Sequence, residues 1–199
     1  IGGQAGGYSA LAGGGGAADI TALGLTGSIV AGDKVYDGTT AASVTSSNLV
    51  GVIAPDAVTL VVGAASFDNE NVGTRTASAA LSLIGGQAGN YSVNATAADT
   101  ADITALGLTG NFTASGKVYD GTPSATVLTR TLSGVLAGDI SNVSLTGGTA
   151  SFADALVANS KPVSLTGATL SGSAAGNYSL TSVADTAANI TALGVTVDS

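Results

Sequence analysis

One hexamer organises this chain. Lys-Val-Tyr-Asp-Gly-Thr occupies positions 34–39 and returns at 117–122, 83 residues later. Gly-Asn-Tyr-Ser at 89–92 returns at 176–179, and Ile-Thr-Ala-Leu-Gly begins at Ile20, Ile103 and Ile190. Each of these pentamers starts 12 residues after a Tyr, at Tyr8, Tyr91 and Tyr178. Self-similarity at a fixed period means that one supersecondary unit is built several times over, so the fold reduces to one unit and its joints. Residues 1–26 read as the C-terminal part of a preceding repeat, 27–109 as a full repeat and 110–199 as a second. A unit of this length is enough for one small core. Residues 49–56 align with 132–139 at the offset of 83, but Phe67 aligns with Phe152 at 85 and Tyr91 with Tyr178 at 87. The four extra residues of the second copy therefore enter at two places, expected to be hairpin loops, where insertions cost little.

Within a unit the pattern is that of β-structure. Val163-Ser164-Leu165-Thr166 alternates apolar with polar, as does the run at 79–83, and that period of two suits half-buried strands. Asp-Gly at 37–38 and 120–121, Gly-Gly at 85–86 and 147–148, and Ala-Gly-Asn at 88–90 and 175–177 punctuate the strands as turns. Residues 49–56 and 132–139 fit a short helical turn or a loop. The expectation is an all-β chain with about seven strands per unit and little helix. Each unit would be a β-sandwich or a β-grasp-like sheet, and the units would stand end to end as a rod. The five Tyr fall in the two recurring motifs, Phe67 aligns with Phe152 and Phe112 with Ile29, and these few aromatics, 4 % of the chain, are expected to anchor the cores.

Composition limits the chemistry. The 199 residues include no His and no Cys, which excludes a Ser-His-Asp triad, a thiol nucleophile, the usual zinc sites and disulfides. Thirteen acids against five bases give a net charge of −8, which argues against nucleic acid and anionic membrane surfaces as partners. Mean hydropathy is positive at +0.46, yet no apolar run approaches the ~20 residues of a spanning helix. The chain begins at Ile1 without a basic leader or an initiator Met, which reads as a segment of something longer.

The recurring residues are the candidates for function: Lys34, Tyr36, Asp37, Gly38, Asn90 and Tyr91, with Lys117, Tyr119, Asp120, Gly121, Asn177 and Tyr178 in the second copy. Asp37 and Asp120 read as turn-setting residues that cap nearby N–H groups. The rival role, a Ca²⁺ ligand, needs several oxygens, and the acids around Asp37 have no counterparts around Asp120. Lys34 and Lys117 read as lysines whose stems cover apolar surface and whose ammonium groups reach a carboxylate, rather than as partners of an isopeptide bond. Asn90 and Asn177 read as turn residues that tolerate positive φ. No pair of carboxylates is set in a cleft with aromatic platforms, so the chain is not expected to be an enzyme, and no cofactor or metal is expected.

The ordered series formed by the hexamer, the Leu-x-Gly-Val-x-x-x-Asp stretch ending at Asp56 and Asp139, Asn71-Val72-Gly73-Thr74, Ala-Gly-Asn-Tyr-Ser and Ala-Asp-Ile-Thr resembles the YDG-type repeats of large secreted bacterial proteins, the filamentous-haemagglutinin-like adhesins. The resemblance implies display outside the cell or on its surface, association with adhesion and biofilms, and no catalytic residues. It departs at Leu156-Val157-Ala158-Asn159, where the second copy lacks Asn-Val-Gly-Thr, and at Ala22, Ala105 and Ala192, which stand where Pro is usual. The implied function is structural: stalk or fibre repeats that space an adhesive region from the cell or build matrix filaments. The partners are then neighbouring repeats of the same chain. Two alternatives are that the repeats bind a glycan or matrix ligand, or that chains assemble by exchanging strands from 1–26.

Overall fold

The computed structural model describes residues 19–196. Readings placed on residues 1–18, Tyr8 among them, lie outside the described residues, as does the larger part of the segment proposed for strand exchange. The first module runs β1 (Leu23–Gly32), β2 (Lys34–Val35), β3 (Ala41–Val50), β4 (Thr59–Val62), β5 (Ala65–Phe67), β6 (Gly73–Ile84), β7 (Tyr91–Val93) and β8 (Thr96–Thr104). After Ala105 the second runs β9 (Leu106–Ala114), β10 (Lys117–Val118), β11 (Ser124–Ala125), β12 (Val127–Ser133), β13 (Ser144–Phe152), β14 (Ala158–Ser171), β15 (Tyr178–Val183) and β16 (Thr186–Thr191). Three single 3-10 turns, Ala88–Asn90, Ala137–Asp139 and Ala175–Asn177, complete an all-β chain. No helix among the described residues is long and apolar enough to cross a membrane.

In the first module the strands lie in the order β2-β8-β6-β5-β3-β1-β7, with β4 also beside β6. Pairing is antiparallel except at the two ends, where β2 lies parallel to β8 and β7 parallel to β1. The sheet curls so that β1 comes back across β8. The second module follows the same plan, but the counterpart of β3 is broken at Thr126. Its sheet therefore divides into β10-β16-β14-β13-β11 and β12-β9-β15.

The period of two decides which side chains turn inward. In β6, Ala77, Ala79 and Leu81 are buried while Thr76, Ser78 and Ala80 face out. Small inward residues let the faces approach closely. A Cβ on Gly27 would lie 2.6 Å from Leu81 Cδ1, and one on Gly110 would lie 2.9 Å from Leu145 Cδ2. Asn94 brackets Gly27, accepting its N–H at 2.7 Å and donating to its carbonyl at 3.0 Å.

The extra residues of the second module are placed differently from the expectation. Three positions lead from Asp56 to Thr59 at the start of β4, whereas five lead from Asp139 to Ser144 at the start of β13, so two of the four do enter a loop. The others sit inside a strand. Phe67 pairs with Ala77, ten positions on, while Phe152 pairs with Val163, eleven on. That residue is absorbed at the bulge between Ala158 and Lys161, where Ser160 takes a φ of 50°. The last lies further along β14, since Ala77 to Ile84 spans seven positions and Val163 to Ser171 spans eight. A long two-stranded ladder accommodates an added residue as a local irregularity without losing its inward face.

The buried residues form three clusters rather than one per repeat. Ile29, Ala79, Leu81 and Ala97 make a core at the start of the first module. Phe112, Phe152, Val163, Leu165 and Ile190 make a core within the second. The third is shared: Tyr36, Phe67, Ala77, Ala101 and Ile103 from the first module pack with Leu108, Val143, Ala174 and Tyr178 from the second.

Candidate functional site

The hexamer forms the same turn twice. Asp37 Oδ1 accepts from Thr39 N at 2.9 Å and from Lys34 Nζ at 2.7 Å. Lys34 Nζ also donates to the carbonyls of Thr39 and Ala41. In the second copy Asp120 Oδ1 accepts from Thr122 N at 2.9 Å and from Lys117 Nζ at 2.8 Å. Gly38 and Gly121 occupy the left-handed positions these turns require, with φ of 74° and 77°. Each ammonium also stands 5.7 Å from the ring centre of a buried Phe, Phe67 or Phe152. The Lys34 hydrogen bond, first among the causes, holds the Asp37 carboxyl below the ordinary carboxylate range. The same arrangement at Lys117 brings Asp120 down to about 2. Lys34 and Lys117 are thus committed to closing their own turns. Among the described residues no three acids cluster as a cation site.

The Tyr of Gly-Asn-Tyr-Ser forms the second recurring unit. Tyr91 Oη donates to Asp56 Oδ2 at 2.6 Å and accepts from Ile53 N at 3.3 Å. Tyr178 Oη donates to Asp139 Oδ2 at 2.7 Å and accepts from Leu136 N at 3.3 Å. Each phenol therefore ties the start of its strand, β7 or β15, to the turn after β3 or β12. Asn90 and Asn177, the residues just before, sit in turns as expected, but the turns are 3-10 and neither asparagine takes a positive φ. The turns here are tightened by i to i+3 bonds, from Asn90 N to Gln87 O and from Asn177 N to Ala174 O, so no left-handed residue is needed at the asparagine.

The two units meet at the joint between modules. Tyr36, from the hexamer of the first module, donates its phenol to Asp139 Oδ2 of the second at 2.9 Å. Its ring stands edge-on to Tyr178, with centroids 5.4 Å apart and planes at 80°. Beside it, the buried Asn177 accepts from Val72 N at 3.0 Å and donates to Asn71 Oδ1 at 2.9 Å. Arg75 holds that loop in place by donating to the carbonyls of Asn71 and Val72. Burial, followed by the hydrogen bond to Asp139, raises both phenols above the ordinary tyrosine value of 10.0, Tyr178 to about 12. Both remain neutral donors across the physiological range.

The family whose description is YDG domain matches residues 19–101 and, again, 103–188. The chain belongs to the YDG domain family. No curated protein and no solved structure matches it. The second match begins at Ile103, the first residue of Ile-Thr-Ala-Leu-Gly, and the first strand of each YDG module, β1 or β9, begins inside that motif, at Leu23 and Leu106.

The two YDG modules differ in what lies against their hexamers. Tyr36 is 6 % exposed, whereas Tyr119, its counterpart, is 40 % exposed. The loop next to Tyr119 carries Leu156 and Val157 where the first module has Asn71 and Val72, and both are exposed. Lys161 stands where the first module has Arg75 and is buried in an ion pair with Asp154. The expectation that all these tyrosines are buried therefore fails at Tyr119, which among the described residues has no counterpart of Asp139 and Tyr178 packed against it. Asp56, Asp139, Asn71 and Val72 belong to the same machinery but were not among the sequence candidates. Asp56 and Asp139 were detectable in principle, since they recur at the same offset of 83 as the hexamer.

Proposed function

We propose that this chain is a length of stalk or fibre from a secreted or cell-surface bacterial adhesin, in which YDG modules stand end to end as a rod and hold an adhesive region away from the cell or build matrix filaments. The observation that carries this reading is the shared core between the modules. Tyr36, Phe67 and Ile103 of one module pack directly against Leu108, Val143 and Tyr178 of the next. Modules joined by a flexible linker would move independently. A buried contact with directional hydrogen bonds instead restricts their relative orientation, as a spacer requires. The resemblance of the repeat series to those of large exoproteins supports the extracellular setting, and the net charge of −8 suits a solvated surface.

Direct recognition of a glycan has less support. A ligand groove belonging to the repeat would present the same Tyr and Asn in both copies. Here Tyr36 and Asn177 are covered by the joint, and only their counterparts Tyr119 and Asn90 are exposed.

The test is to place one, two or four copies of the chain between a surface anchor and a binding domain of known ligand. The range over which cells capture the ligand should grow with copy number, and the chain alone should not bind a glycan array. Saturable binding of the isolated chain to a matrix glycan, with capture indifferent to copy number, would overturn the stalk reading.

A further inference from the structure

In each YDG module the run of chain that enters and the run that leaves lie side by side and point the same way. In the first module residues 23–25 pair parallel with 91–93, and 34–35 pair parallel with 103–104. Between these ends, side chains carry the contact. Asn94 brackets Gly27, Asp99 Oδ2 accepts from Ala31 N at 3.0 Å, and Asp33 Oδ1 accepts from Asp102 N at 2.7 Å. Tyr36 N then donates to Thr104 O at 2.8 Å. The incoming run 23–36 is thus tied to the outgoing run 91–104 from one end to the other. The second module does the same, mainly with backbone. Residues 106–110 pair parallel with 178–183, 117–118 pair with 190–191, and Tyr119 N donates to Thr191 O at 2.8 Å. Ala105 alone separates Thr104, the end of one outgoing run, from Leu106, the start of the next incoming run.

We propose that the modules are load-bearing, with the parallel pairing of incoming and outgoing runs acting as a shear clamp against tension along the chain. Tension draws residue 23 towards the N-terminus and residue 104 towards the C-terminus. Because the two runs are parallel and adjacent over their whole length, those pulls oppose each other along one axis. Every bond between the runs is then loaded at once. An antiparallel pair joined by a hairpin would instead be pulled apart from its open end, one bond at a time. Each loaded run is also held on its other flank, β1 by β3 through seven antiparallel pairs and β8 by β6 through eight. The side-chain ties belong to the first clamp alone, since Gly116 and Thr186 stand where it has Asp33 and Asp99. Spacing demands only stiffness, whereas bearing load demands resistance to extension. The inference goes beyond the stalk reading and rests on strand direction and register.

The test is single-molecule force spectroscopy on the full chain, which has no Cys of its own, so introduced thiols are unique handles. Handles at the two ends of the chain load both clamps in shear. Handles at Ala22→Cys and Gly89→Cys instead act across residues 23 and 91, at one end of the first clamp, and peel it open. Both positions are exposed, and a side chain at Gly89 would meet nothing within 4 Å. At one pulling speed, end-to-end loading should give two peaks, each releasing roughly 25 nm of chain at about 3.5 Å per residue, at forces at least about three times the peeling force. Asp99→Ala should lower one end-to-end peak, that of the first module, and leave the peeling peak unchanged, because peeling begins several residues before Asp99 is reached. A merely structural role for Asp99 would lower both. Asp33→Ala, at an exposed position, makes the same comparison in case Asp99→Ala lacks the native circular dichroism spectrum. End-to-end peaks no higher than the peeling peak, or variants that move both loadings alike or neither, would overturn the proposal. The readout is force rather than capture range or glycan binding, so failure of the stalk reading is distinguishable from failure of the clamp.

Discussion

Tyr36 donates its phenolic proton to Asp139 over 2.9 Å, although the two residues stand 103 positions apart and belong to different repeats. Asp139 Oδ2 also accepts from Tyr178 of its own module at 2.7 Å. A single carboxylate oxygen thus holds both its own strand start and the preceding module.

Removing that carboxylate should cost more than removing its counterpart. Asp139→Ala leaves two phenols without an ionised acceptor, whereas Asp56→Ala leaves one. With a charged acceptor contributing about 1.5 kcal/mol or more per hydrogen bond, the expected losses are about 3 kcal/mol for Asp139→Ala and about 1.5 kcal/mol for Asp56→Ala. Urea unfolding followed by circular dichroism measures both. Equal losses would mean that Tyr36 does not depend on Asp139.

Alkaline pH should loosen the joint. The Tyr178 phenol titrates near 10.0 when unfolded and is pushed up to about 12 in the fold, so the unfolded chain releases its proton first. The contribution is complete below pH 10 and is lost as pH climbs from 10 towards 12. Two pH units correspond to about 2.7 kcal/mol at most. Tyr178→Phe should unfold more readily at neutral pH and show a shallower fall above pH 10. A variant whose alkaline slope equals that of the unaltered chain would refute this.

Acid should act at the hexamers. Asp120 is held down to about 2 from an ordinary 3.8, chiefly by Lys117, and Asp37 is lowered in the same direction by Lys34. Their contribution is present above the ordinary value and is lost as pH falls, for Asp120 between 3.8 and about 2. Asp120→Asn should remove part of the acid dependence of the melting temperature and leave its alkaline dependence unchanged. Calorimetric scans across both pH ranges check this.

Lys161 offers a different comparison. Its ammonium is buried while its partner Asp154 is largely exposed, and the pairing lowers the Asp154 carboxyl. Asp154→Ala strands a buried cation, whereas Lys161→Met fills the same space with an apolar chain. The first should destabilise the second module more than the second does, as read from urea midpoints. The reverse order would show that the Lys161 side chain stabilises the module by more than its pairing with Asp154.

Much of the architecture was legible because local chemistry determines it. Alternation at 79–83 and 163–166 marks β6 and β14, and Asp-Gly with a Lys three positions earlier marks a turn closed by its own side chains. What the sequence hid depends on neighbours. The hexamers around Tyr36 and Tyr119 are identical, yet one phenol is buried and the other exposed, because among the described residues only Tyr36 has a module against it. The double duty of Asp139 was hidden for the same reason, as its second partner comes from the other repeat. The kind of turn at Asn177 is hidden too, because Ala-Gly-Asn suits either a left-handed turn or a 3-10 turn and local composition does not choose between them. The added residues of β14 are invisible in the sequence because a bulge leaves no distinctive mark in a run of Ala, Asn and Ser.

The middle core spans the seam between the repeats. The repeated unit therefore has a core of its own but completes a second one only against its neighbour. Cutting the chain at Ala105 would expose two half-cores, while inserting another copy there would create a second seam with the same chemistry as the first. A protein built this way can change length by recombination without inventing a new interface, and the exposed apolar surface at its ends does not grow with the number of copies between them.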